Sequence, residues 1–237
     1  AVSHNNQHII IDGAATKNPM DSVAVELKDV DVNYILGLVD FHSVEFDGLA
    51  TGTAIVKTPF TTPDAYARLK VRNFRFEGGD MGTLTADVRF NNLKGQIDID
   101  AIANDGPIKN TFINGYVSPK HNYIDLGIRA SNTNIAFLEG FCKSFMKDVQ
   151  AQATGEVRLS GPLSHINLTG QLTANGFFTI SSLNTTYQLK NAGVRMRPDE
   201  IELKGEEFED RHGNTGILKG FIRHKHLTHL SYDLDIE

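Results

Sequence analysis

Tryptophan is absent from the 237 residues, and cysteine occurs once, as Cys142. A lone cysteine excludes an internal disulfide and a cysteine-based zinc site. The lack of tryptophan, with aromatic residues at 8%, weighs against a glycan-handling enzyme or adhesin, which would present aromatic platforms. Basic charge is also short. Lys and Arg number 23 against 29 Asp and Glu, a net charge of -6, and no basic cluster is present to release counterions from a phosphate backbone, so nucleic acid is not an expected partner. No run of about 18 apolar residues exists to cross a bilayer as a helix, and no charged segment followed by an apolar one opens the chain. A chain that starts on Ala1 rather than Met is expected to be a piece of a longer protein whose flanks carry an anchor or signal. Gly-x-Ser-x-Gly, His-Glu-x-x-His and a phosphate loop are missing, which leaves nucleophilic, zinc-hydrolase and nucleotide chemistry without a foothold. Neither catalysis nor a cofactor is expected; a glycosidase stays open as an alternative only because its two carboxylates need be near in space, not in sequence.

What is present is alternation. With 40% hydrophobic residues, 22% charged and 21 glycines, the chain has the composition of a folded domain. Between Ile166 and Ile180 every second residue is Ile166, Leu168, Gly170, Leu172, Ala174, Gly176, Phe178 or Ile180, with Asn167, Thr169, Gln171, Thr173, Asn175, Phe177 and Thr179 between them. Strict period-2 alternation predicts a half-buried strand. At about 3.3 Å per residue the run would reach roughly 50 Å, against a usual strand of about 5 to 6 residues. Leu84, Ala86, Val88 and Phe90 alternate in the same way, as do Ile97, Ile99 and Ala101, and Tyr232, Leu234 and Ile236. Ala65, Ala67, Leu69 and Val71 change parity to Phe74 and Phe76 across Asn73, which reads as a β-bulge. Turn signals at Glu77-Gly78-Gly79-Asp80, Asn91-Asn92, Asn104-Asp105-Gly106-Pro107 and Arg197-Pro198-Asp199 separate these runs.

The chain is internally repetitive. An offset of 103 residues lays Ala50-Thr51-Gly52 on Ala153-Thr154-Gly155, Pro59 on Pro162 and Gly37 on Gly140, and with small insertions Gly115-Tyr116-Val117 meets Gly220-Phe221-Ile222. Residues 1–31 are then the end of a preceding repeat, 32–134 a first copy and 135–237 a second. Each copy opens with a short amphipathic helix: Leu138, Phe141, Cys142 and Phe145 follow the i, i+3, i+4, i+7 stripe, with Asn134 or Asn132 as cap, and Ile35, Leu38 and Val39 repeat it within Val32 to Phe41. The thiol of Cys142 is a packing group in this reading. The fold expected is mainly β: one elongated antiparallel sheet with two short helices and none of the crossovers of a parallel α/β sheet.

Polar clusters have plain explanations. The pairs Asp29/Asp31, Asp98/Asp100 and Asp233/Asp235 each share a strand face and would suit a hard cation if a third ligand approached, but a solvated sheet face accounts for them. The segment from Arg223 to His229 holds three of the nine histidines, and His224 with His226 is a candidate transition-metal pair. Lys225 intervenes and nothing completes the site, so an exposed edge is expected. The run Glu206-Glu207-Phe208-Glu209-Asp210 reads as a solvated loop. No metal site follows.

The segments Gly155 to Leu163, Leu168-Thr-Gly-Gln-Leu172, Leu183-Asn-Thr-Thr-Tyr-Gln-Leu189, Asp210-Arg-His-Gly-Asn214, Leu218 to His224 and Asp233-Leu-Asp-Ile236, in this order and spacing, resemble the repeat-rich C-terminal region of the TamB family, translocation and assembly module proteins related to AsmA-like proteins. The resemblance covers about residues 150 to 237. It implies a sheet curled lengthwise into an apolar groove, a β-taco. It also implies a periplasmic piece of an inner-membrane-anchored protein that reaches an outer-membrane barrel of the TamA/BamA assembly type, in a family that carries no catalytic residues. The expected function is to carry phospholipid, or other acyl chains, between the two membranes and/or to support outer-membrane protein assembly. Candidate groove-lining residues are Leu69, Val71, Val88, Phe90, Val157, Leu159, Ile166, Leu168, Leu172, Phe178, Val194, Met196, Leu218 and Ile222. Two other readings stay open: a template that binds protein clients by β-edge pairing, and an apolar stripe that is simply a closed structural core.

Overall fold

The computed structural model describes residues 2–4, 7–18, 20–37, 45–60, 62–139, 146–225 and 228–237. They are almost wholly strand. In chain order these are β1 (Val2–His4), β2 (Gln7–Gly13), β3 (Ser22–Asp31), helix α1 (Val32–Gly37), β4 (Phe46–Lys57), β5 (Asp64–Phe76), β6 (Gly79–Asn91), β7 (Gln96–Asn104) and β8 (Asn110–Ser118). There follow β9 (Tyr123–Asn134), β10 (Met146–Pro162), β11 (Asn167–Ile180), β12 (Thr185–Arg197), β13 (Glu200–Asp210), β14 (Thr215–Lys225) and β15 (Thr228–Ile236). Contacts divide them into two compact units, one of residues 1–107 with 112–123, the other of 108–111 with 124–237. In each unit the strands lie side by side in chain order and antiparallel, most of them joined by turns, with α1 following β3 in the first unit. The division falls inside residues 32–134, expected to be one repeat copy, because a meander strand touches chiefly its two neighbours.

Strands this long need their twist relieved. β10 runs 17 residues and β11 runs 14, two to three times the usual length. The relief comes as bulges. Register shifts occur between Leu27 and Val30, Val71 and Phe74, and Lys147 and Gln150, and a left-handed Asp or Asn stands at each: Asp29 (φ 52°), Asn73 (φ 51°) and Asp148 (φ 56°). Short polar side chains tolerate this conformation by bonding locally. Asn73 makes the parity change foreseen in the sequence. Each bulge adds one residue, so the apolar positions on its far side return to the same face.

Several of these devices recur at the repeat offset. Asp29 and Asn132 are both left-handed, and their N–H groups donate to Thr51 Oγ1 and Thr154 Oγ1, each at 3.0 Å. Asp31 Oδ1 accepts from the Asn33 N–H at 2.8 Å and so caps α1, while Asn134 Oδ1 accepts from the Ala136 N–H at 3.0 Å. Asn134 is thus the cap of the second segment and Asn132 the left-handed residue before it. Of the second expected helix only Leu138 and Glu139 are helical among the described residues; Phe141, Cys142 and Phe145 lie outside them, as do Leu38 and Val39 of the first.

The expectation for the acidic run is overturned. The acidic run from Glu206 to Asp210 is not a loop but the last half of β13. Phe208 packs into the core, Glu206 Oε2 accepts from the Gly193 N–H at 2.7 Å, and Glu209 pairs with Lys190 at 2.7 Å. Charge density misleads here because neighbouring strands supply donors to both carboxylates.

Gly52 and Gly155, also 103 apart, have φ of 157° and 146°, and a Cβ there would fall 2.1 Å from Arg68 O and 2.3 Å from Gln171 O on the next strand. Glycine is needed for the close approach of two backbones. Gly155→Val is expected to lower unfolding stability by about 2 to 3 kcal/mol, read as a lower urea midpoint with an unchanged slope; a variant as stable as wild type would show that this approach is not required.

Candidate functional site

The apolar face is built as rows. Because facing strands are paired residue by residue, the inward positions of one strand stand beside those of the next, and each row runs across the sheet at about 4.8 Å per strand. In the first unit one row is Val23, Val56, Ala65, Phe90 and Ile97; the next is Val25, Ala54, Ala67, Val88 and Ile99; the third is Leu27, Gly52, Leu69, Ala86 and Ala101; the fourth is Val30, Ala50, Val71, Leu84 and Ala103. The second unit has Val157, Gly170, Met196, Ile201, Ile222 and Tyr232 in one row and Gly155, Leu172, Val194, Leu203, Gly220 and Leu234 in another. Leu159 faces Leu168, and Ala153, Ala174 and Ala192 form a row of small side chains.

The opposite face is charged. Arg68 pairs with Asp87 at 2.7 Å, Arg89 with Asp64 at 3.6 Å, and Arg158 grips Asp125 with two bonds of 2.6 and 2.5 Å. Arg197 reaches Glu200 and Glu202 at 3.0 Å each. Exposed pairs like these add little to stability; their larger effect is to hold that face in water.

One end of each apolar face is closed. In the first unit Ala50, Val71, Phe74, Met81 and Ala103 form a buried cluster, with Val32 and Ile35 of α1, Phe46, Phe76 and Leu84 packed on it. Phe46 lies 6.0 Å from Phe74 and 5.5 Å from Phe76, ring centre to ring centre. In the second unit the cluster is Val149, Phe178, Ile180 and Leu218, backed by Tyr187, Leu189, Leu203 and Phe208 among others, and Tyr187 meets Phe208 edge-on at 4.9 Å. Both clusters sit where β5 and β11 end and β6 and β12 begin, the strand ends nearest the helical segments.

Away from those ends the apolar face is only half covered. Of the candidate lining residues, Val71, Phe178, Met196 and Leu218 are buried, at 4 to 7% exposure. Leu69, Val88, Phe90, Val157, Leu159, Ile166, Leu168, Leu172, Val194 and Ile222 are half-buried. All but Ile166, which precedes β11, stand in strands on the apolar face. Each unit thus brings its own candidates into one face. Ile201, Leu203, Tyr232 and Leu234 complete the rows of the second unit and were missed, although the alternation Tyr232, Leu234, Ile236 was visible; β13 was hidden by its acidic tail.

The polar candidates are structural. Asp29 accepts from Arg72 at 2.6 Å, Asp31 caps α1, Asp98 is hydrogen-bonded by Gln96, and Asp233 and Asp235 pair with Arg223 and Lys219, each at 3.3 Å. His224 is buried at 6% exposure, not on an exposed edge as its polar neighbours led one to expect, because β15 covers its strand; His226 lies outside the described residues. Among the described residues no group of three or more His, Cys, Asp or Glu could hold a metal ion, and no helix is long and apolar enough to cross a membrane. Comparison with protein-family models, with curated proteins and with solved structures finds no match.

Register in the second unit is pinned at the β13 to β14 turn. Asp210 Oδ1 accepts from the His212 N–H at 2.8 Å and the Asn214 N–H at 2.9 Å, and Oδ2 from the Asn214 amide at 2.9 Å. The Asn214 amide, with those backbone donors, holds the Asp210 carboxyl below its ordinary value. A carboxylate depressed in the folded state stabilises above the unfolded value of about 3.9, and the effect is lost as pH falls through the lower folded value. Asp210→Ala is therefore expected to lower the urea midpoint at neutral pH, the gap to wild type closing as the pH is taken down toward about 2. A gap constant across that range would assign the loss to packing instead.

Proposed function

We propose that the apolar face holds the acyl chains of lipids and lets them move along the rows, with headgroups kept at the wet margin. The observation that carries the reading is the incomplete cover of the face: ten of the fourteen candidate side chains, Leu69, Val88, Phe90, Val157, Leu159, Ile166, Leu168, Leu172, Val194 and Ile222, keep part of their surface accessible. In a closed core such side chains would fall below a tenth of their exposure, as Val30, Ala50 and Ala192 do at 0 to 1%. Each buried methylene of a bound chain contributes about 0.8 kcal/mol. Dispersion and hydrophobic contacts have no preferred direction, so a row of Leu, Val and Ile presents nearly the same free energy at successive positions and opposes sliding little.

The finer architecture belongs to the same proposal. The shared left-handed residues Asp29 and Asn132 and the shared caps Asp31 and Asn134 support a unit of about 103 residues built twice, and the glycines at Gly52 and Gly155 support a lengthwise curl. Together with the TamB-like segments these favour a β-taco in the periplasm, part of an anchored protein that passes phospholipid toward the outer membrane and works with an assembly barrel there.

A photo-crosslinking residue at Leu172, with Thr173 on the opposite face as control, tests this in the intact protein in cells. Phospholipid attached at Leu172 and not at Thr173 is the expected result. If a folded protein captures lipid at neither, the face is a closed core or a surface for protein clients and the lipid reading falls.

A further inference from the structure

We infer that the first unit docks onto a bilayer surface bearing anionic headgroups, through the apolar tips of three successive turns at one end of its sheet. In an antiparallel meander the turns that follow β2, β4 and β6 all lie at the same end, spaced two strands or about 10 Å apart. Each carries one large apolar side chain turned to solvent: Met20 at 87% exposure, Phe60 at 67% and Leu93 at 95%. Met20 and Leu93 are the two most exposed large apolar residues among those described; Ile108, also at 67%, is in the turn after β7, at the other strand end. A turn has no need of a bulky apolar residue, since Gly, Asn and Asp serve the backbone there, and leaving most of each of these three side chains exposed on folding keeps hydrophobic surface in contact with water.

Charge at this end selects the partner. Lys17 stands in the β2 to β3 turn, Lys57 closes β4, Lys94 follows Leu93, and Lys120 stands in the turn after β8 with its methylenes against Gly95. All four are exposed, and among the described residues none is held in an ion pair. The carboxylates at this end are set back or engaged: Asp12 lies within β2, Asp21 accepts from the Thr16 N–H and hydroxyl at 2.7 and 2.6 Å, and Asp64 pairs with Arg89. A chain of net charge -6 thus presents its lysines beside three apolar tips. Apolar side chains that enter the acyl boundary, flanked by ammonium groups at headgroup depth, are the pattern of an interfacial anchor. Each lysine near an anionic surface contributes about 1 kcal/mol, and long stems let the ammonium stay in water while the tip is immersed. This docking does not rest on lipid in the apolar face; either can hold without the other.

The absence of tryptophan makes the test direct, because Leu93→Trp is a single-tryptophan reporter. Vesicles of phosphatidylcholine with phosphatidylglycerol are added to the whole chain, and vesicles of phosphatidylcholine alone serve as comparison. The fluorescence of Leu93→Trp is expected to shift to the blue on the anionic vesicles only, reversibly with salt, while Leu183→Trp, in the turn after β11, stays unchanged. Co-sedimentation should fall about tenfold for Phe60→Ser and again for Lys57→Glu with Lys94→Glu, with the unfolding midpoint of each variant close to the wild-type value, since these side chains are mostly exposed. No shift at Leu93→Trp on either vesicle, as expected if the tips meet a protein, overturns the proposal. An equal shift at Leu183→Trp overturns it too, by showing adsorption without regard to surface. A failed acyl crosslink at Leu172 with a positive vesicle result removes only the transport reading.

Discussion

Cross-strand register is the constraint on which everything else in this structure depends. Side chains alternate with period two, so a slip of one residue between neighbouring strands would send a whole row of Val, Leu and Ile into water and bring Arg, Asp and Thr to the apolar side. A slip in β11 against β10 would put Thr173 and Gln171 beside Val157 and Gly155. The free energy lost across even one row of five aliphatic side chains exceeds what any turn alone could hold, and this is why the register persists through strands of 13 to 17 residues.

Such length conflicts with twist. A sheet that coils as it extends cannot keep two long strands in phase without an occasional extra residue, and the bulges at Asp29, Asn73 and Asp148 supply it. Each is occupied by an Asp or Asn that tolerates a left-handed backbone. In the bulge at Asp29, and again at the left-handed Asn132, the N–H is taken up by a threonine on the next strand. The bulge is thus not a defect in the ladder but the joint that lets the apolar rows beyond it, such as Val30, Ala50 and Val71, remain on the same side as Leu27, Gly52 and Leu69.

Packing is uneven along the strands, and the unevenness shapes what the face can do. Aromatic side chains gather at one end, where Phe46, Phe74 and Phe76 in one unit and Phe178, Tyr187 and Phe208 in the other are large enough to fill the space above the sheet. Toward the middle the rows mix Leu, Val and Ile with Ala and Gly. Alanines such as Ala86 and Ala174 are buried there, while larger side chains such as Leu69, Val88, Leu172 and Val194 stay partly accessible. A structure whose stability is concentrated at one end of its strands can keep the remainder of the face available without forfeiting the fold.

Alternation, turn residues and the parity change at Asn73 were legible in the chain because each is a local property: period two follows from strand geometry, and Gly, Asn and Pro act on their own backbone. The mainly β, antiparallel character, the membership of Leu69 and Val88 in the apolar face of one unit, and that of Leu172 and Val194 in the apolar face of the other followed from that alone. Burial was not local. Whether Phe178 is covered and Leu172 half-open depends on what five other strands place above them, and Phe208 joined the core although four acidic neighbours disguised its strand. His224 was misjudged for the same reason, since its exposure is set by β15 and not by the lysine and arginine beside it. The turn tips Met20, Phe60 and Leu93 likewise looked unconnected until antiparallel pairing brought them to one end of one unit. Period and turn chemistry are written residue by residue, whereas cover and proximity arise only from the register between strands distant in sequence.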